Sequence, residues 1–88
     1  MNQPVPPDPS LHVIVSMFAT QAAVALGQVA NPTTGQSEVD LGAAKFNIDL
    51  LQILKEKTEA NATEEEQKYA DDCLYQLRMV FIDKSAKK

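Results

Sequence analysis

Between Asp8 and Glu38 the sequence contains no Asp, Glu, Lys or Arg. A helix on a protein surface normally turns a charged side to water. A stretch this long without charge must be covered nearly all round, by protein or by lipid. Residues 11–29 approach the roughly 20 apolar residues of a membrane span. His12, Ser16, Thr20, Gln21 and Gln28 interrupt them, however, and no positive charges flank them. The expectation is a helix covered by protein, with no membrane span.

The rest of the composition narrows the choice. A chain of 88 residues fits one domain, and 44% hydrophobic residues can fill a core. Twelve acids against eight Lys and Arg leave a net charge of −4, and every cation lies at Lys45 or beyond. That balance argues against a nucleic-acid partner, which would require a basic footprint. A lone Cys73 cannot form an internal disulfide, which suits a reducing compartment. The first nine residues hold four of the five prolines and no Lys or Arg, so they lack the charged start of a secretory signal. These features predict a cytoplasmic protein.

Pattern and punctuation predict an all-α fold of three helices, at about 9–30, 41–59 and 64–84, in an up-down-up arrangement completed by oligomerisation. Residues 1–8 read as a disordered Pro-rich lead-in, 9–84 as the single domain and 85–88 as a frayed tail. Asp8 with Pro9 can open the first helix, and Asn31-Pro32 must close it. Asp40 caps the second, and Asn61 is placed to end it in a left-handed turn. Thr63 and Glu66 have the spacing of a capping box, in which each side chain takes a backbone N–H of the other residue.

At 100° per residue the first helix shows a bulky face (Leu11, Ile14, Val15, Phe18, Ala22, Leu26) and a small-residue face (Ser16, Ala19, Thr20, Ala23, Gly27). Ala19, Ala23 and Gly27 form an i+4 ridge that would admit another helix backbone. The second helix is apolar on two sides, with Leu41, Ala44, Ile48 and Leu51 opposite Ala43, Phe46, Leu50, Ile53 and Leu54. It should therefore lie between two neighbours. The third helix has a core face of Ala70, Cys73, Leu74, Leu77, Val80 and Phe81, while Tyr75, Met79 and Ile82 lie elsewhere.

The run Gly27-x3-Asn31-Pro32-x2-Gly35, then Val39-Asp40-Leu41-x2-Ala44-Lys45-x2-Ile48-Asp49-x-Leu51, resembles an uncharacterised bacterial family. The likeness continues through Leu54-x2-Lys57-Thr58-x2-Asn61-x-Thr63-x-Glu65-Glu66 to Leu74-Tyr75-x-Leu77-Arg78-Met79, covering about residues 14 to 81. That family consists of short helical proteins catalogued only as a domain of unknown function. Ala60 departs from it, because the family pattern favours Gly there. The resemblance implies a helical fold and a bacterial cytoplasmic origin. It carries over no site residues.

No motif names a reaction, and no catalytic, cofactor-binding or metal residue is expected. His12 is alone, and a general base needs an orienting partner. Cys73 reads as a core thiol, since reactive thiols sit in exposed, electropositive surroundings. Glu64, Glu65 and Glu66 with Asp71 and Asp72 read as a helix start favoured by the dipole. Asn61-Ala62-Thr63 matches a glycosylation pattern but reads as capping. Asn31, Pro32 and Gly35 form the one connection that could carry a function beyond its turn. The reading is a non-enzymatic helical interaction or oligomerisation module, most simply a homodimer. Its interface residues would be Ser16, Ala19, Thr20, Ala23 and Gly27, with Met79 and Ile82. The alternative is a ligand-binding or enzymatic domain with an apolar pocket between its helices.

Overall fold

Helix α1 spans Leu11–Ala25, α2 Leu41–Thr58 and α3 Glu64–Ala86, with a 3-10 turn at Glu59–Asn61. They come from a computed structural model that describes residues 10–86. Asp8, Pro9, the lead-in at 1–8 and the last two residues of the tail lie outside that range. The expected three-helix, all-α architecture is found, with shifted boundaries.

Ser10 caps α1: its hydroxyl accepts the Val13 N–H at 3.2 Å. The helix stops at Ala25, five residues before the expected end. Gly27 is the reason. With φ +77° it reverses the chain, and its N–H donates to the Val24 carbonyl at 3.0 Å. The Gln28 N–H donates to the Ala23 carbonyl at 2.9 Å. This pair of bonds is a Schellman closure, which satisfies two of the otherwise unpaired carbonyls of the last turn. Gly27 thus leaves the expected Ala19–Ala23–Gly27 ridge.

The connection that follows is closed at its base. Leu26 and Val39 form an antiparallel bridge, and the Asp40 N–H donates to the Ala25 carbonyl at 2.7 Å. Asp40 also opens α2, as expected, by accepting the Ala43 N–H at 3.0 Å. One residue therefore pins the end of α1 to the start of α2, and the two helices run antiparallel.

The end of α2 differs from expectation. No non-glycine among the described residues has positive φ, so Asn61 is not left-handed. The helix tightens into the 3-10 turn instead. The Gln67 amide of α3 donates to the Glu59 carbonyl at 3.2 Å and the Ala62 carbonyl at 3.1 Å. A side chain from the next helix thus does the capping assigned to Asn61. The Thr63–Glu66 capping box forms in both directions, at 2.8 and 3.1 Å. Helix α3 continues to Ala86, two residues beyond the expected end.

The core is shared by Val15 and Ala22 of α1 with its C-cap Leu26, by Ala44, Ile48 and Leu51 of α2, and by Ala70, Leu74 and Leu77 of α3. Lys55 pairs with Asp71 at 3.2 Å, and Arg78 donates to Gln52 at 2.7 Å. Falling numbers on α2 meet rising numbers on α3, so the arrangement is up-down-up. Helix α2 packs on both α1 and α3, as expected, and α1 also packs directly on α3. The Ala44–Ile48–Leu51 stripe is buried in the core, and of the second stripe Leu54 packs against that core while Phe46 and Ile53 stay outside. Extents of 40 × 39 × 16 Å describe a flat molecule, with a radius of gyration of 14.1 Å. A compact domain of this length would have about 12 Å. A flat chain has few positions covered from both sides, which explains the short core.

Candidate functional site

The small-residue face of α1 lies along α3. Ser16, Ala19, Thr20 and Ala23 line an open groove of about 320 Å³. Tyr69, Cys73, Leu77 and Val80 form its other wall, and Gln28, Val29 and Gln76 border it. Ala19 and Ala23 are half-buried and pack against the core. The close approach that these small residues permit is thus partly used by the chain's own α3. Gly27 is absent from the groove. Its α-carbon faces Val39, and a β-carbon there would come within 3.1 Å of the Val39 Cγ2.

The other expected interface residues sit elsewhere. Met79 and Ile82 continue from Tyr75 at helical spacing, and all three are more than half exposed. They do not line the groove. The expected interface therefore divides between a groove and an outer stripe of α3.

At one end of the groove, Tyr69 stacks on His12 with ring centroids 3.8 Å apart and planes 17° from parallel. Burial pushes the Cys73 thiol above its ordinary pKa; a hydrogen bond with Tyr69 opposes that shift, and the nearby Asp72 charge adds to it. A thiol held protonated is a poor nucleophile. No carboxylate is hydrogen-bonded to His12 among the described residues. The groove therefore has shape and a polar edge, and burial weakens the one thiol on its wall as a nucleophile.

No cluster of three or more His, Cys, Asp or Glu among the described residues could hold a metal ion. No buried side-chain nitrogen or oxygen there lacks a partner, so none is left waiting for a ligand. No helix among them is long and apolar enough to cross a membrane.

The Asn31–Gly35 loop uses its polar groups internally. The Gly35 N–H donates to the Asn31 carbonyl at 2.7 Å, and the Asn31 N–H donates to the Gln36 carbonyl at 2.9 Å. The Asn31 side chain accepts the Thr33 N–H at 2.8 Å. Gly35 has φ +73° with open space around it, so its conformation and not crowding requires glycine. Pro32 is exposed.

A further surface feature lies on the second apolar side of α2. Phe46 is 64% and Ile53 52% exposed, with the half-buried Leu50 between them. Periodicity identifies this stripe as apolar. Only the number of elements available to cover it shows that it stays outside.

No curated protein and no solved structure matches the chain. The family described as a domain of unknown function (DUF1844) has a model that matches residues 8–83, and the chain belongs to that family.

Proposed function

We propose that the chain is a non-enzymatic helical interaction module of the bacterial cytoplasm that works by pairing, most simply with a second copy of itself. One observation carries this reading. Among the described residues, nine large apolar side chains are 42–66% exposed, against nine hydrophobic residues in the core. Monomers rarely expose contiguous apolar patches beyond a few hundred Å², and larger ones mark interaction sites. The net charge of −4 speaks against a nucleic-acid partner. Cys73 is a free, half-buried thiol, which suits a reducing compartment.

A second reading rests on the α1/α3 groove, whose volume lies at the small end of ligand pockets. Ser16, Thr20, Gln28 and Gln76 give it hydrogen-bonding groups. On that reading the chain binds a small apolar molecule with a polar end. Native mass spectrometry separates the two. The interaction module gives a species at twice the 9.6 kDa chain mass, with no retained small molecule. A monomer carrying a bound small molecule would overturn it in favour of the groove.

A further inference from the structure

We infer that a second copy docks on the seam between α1 and α2, each copy contributing Ile14, Met17, Phe46, Leu50 and Ile53 across a two-fold axis. The inference rests on the interaction-module reading and adds the surface, the occupant and the orientation.

The seam is located by the cleft at its loop end. Gln21 and Ala25 of α1 face Ala43 and Asn47 of α2 there, with Glu38 and Asp40 at the margin. Away from the loop, steps of four and then three residues along α1 lead from Gln21 to Met17 and Ile14. On α2 a step of three leads from Asn47 to Leu50, with Phe46 and Ile53 on its outer side. Ile14 is 42% and Met17 58% exposed, and Met17 shares a shallow cleft with Gln21, the residue that also borders the loop-end cleft. The Asn47 amide donates back to the Ala43 carbonyl at 2.9 Å, so it does not need a polar partner.

Charge selects the occupant. Helix α1 is uncharged, and the pair Lys45–Asp49 lies on the flank of α2 turned toward α3. Helix α3 carries Glu64, Glu65, Glu66, Asp71, Asp72 and Asp83 against Lys68, Arg78 and Lys84, an excess of acid. Two copies of a −4 chain meeting through α3 would bring two net-negative helices together; the apolar positions of the seam carry no charge. The seam ends also differ in sign. Glu38 and Asp40 lie at the loop end, and the exposed Lys57 lies one turn beyond Ile53. A two-fold axis perpendicular to the seam runs the two copies antiparallel, setting Lys57 of one near Glu38 of the other. An anionic membrane is a poor occupant, because juxtamembrane attraction needs clustered Lys and Arg.

Sedimentation velocity at tens of micromolar tests this on the full chain, with circular dichroism as the folding control. Phe46→Glu and Ile53→Glu change exposed positions and should keep the wild-type helical signal. Each should weaken the dimer by more than about tenfold, the scale of an interface anchor. Met79→Glu, on the outer stripe of α3, should leave it intact. Lys57→Glu should weaken the dimer, and adding Glu38→Lys should restore it. A dimer that survives Phe46→Glu but is split by Met79→Glu overturns the seam and leaves the module reading standing. A charge-swapped double variant no tighter than Lys57→Glu overturns the antiparallel pairing. A monomeric wild type overturns the self-docking altogether.

Discussion

Helix α2 carries two apolar stripes of similar make-up that meet opposite fates. Ala44, Ile48 and Leu51 are at most 5% exposed, whereas Phe46 and Ile53 are more than half exposed. Side-chain chemistry does not distinguish them. What differs is the supply of cover. Three helices in mutual contact each turn one stripe to a shared centre, and nothing within the chain is left for a second. An apolar face at helical period shows that a surface needs burying. It does not show which chain will bury it.

The comparison can be broken by deleting side chains from each stripe. Leu51→Ala removes a fully buried side chain and should cost about 2–5 kcal/mol in a denaturant melt. Leu77→Ala, in the α3 part of the same core, belongs in that range. Phe46→Ala should change stability by no more than about 0.5 kcal/mol, measured where the chain is monomeric. Equal costs at Leu51 and Phe46 would mean that the two stripes are equally packed, contrary to this structure.

The backbone devices that set the stripes' boundaries predict smaller effects. Gly27→Ala should cost about 1–2 kcal/mol for its left-handed conformation, plus the crowding against Val39. Gly35→Ala, with similar φ and open space, should cost less in the same melt. Thr63→Ala should cost about 1 kcal/mol, the usual loss of an N-cap. If the Thr63 change exceeds the Leu77 change, the core face of α3 is misassigned.

The smallest effect concerns Cys73. Its raised pKa leaves less thiolate, so alkylation near pH 8 should be slower in the folded chain than in denaturant. The sign of the linkage follows. The unfolded thiol ionises first as pH rises, so the stabilisation present below its ordinary pKa is lost between that value and the raised one. Cys73→Ser should flatten that alkaline fall in stability.

Much of the fold could be read from the sequence because its signals are local. Asp40 before Leu41 and the Thr63–Glu66 spacing each act within three residues, and each is found in place. The misses share a different cause. Gly27 carries two signals, a small residue at i+4 from Ala23 and a glycine after a helix, and the turn chemistry wins because Val39 packs over it. Asn61 was a reasonable C-cap until Gln67, six residues on, supplied the missing donors. Contacts outside the helix decide both, and periodicity within one helix does not encode them. The expected interface residues Ser16, Ala19, Thr20 and Ala23 gather in one groove, whose opposite wall α3 forms.

The most direct test is an isotope-filtered nuclear Overhauser experiment on a mixture of labelled and unlabelled chains at a concentration where the dimer dominates. The account predicts intermolecular contacts from the Phe46 ring to the Met17 and Ile53 methyl groups of the partner. Intermolecular contacts confined to Ala19, Ala23 or Met79, with none to Phe46, would contradict it.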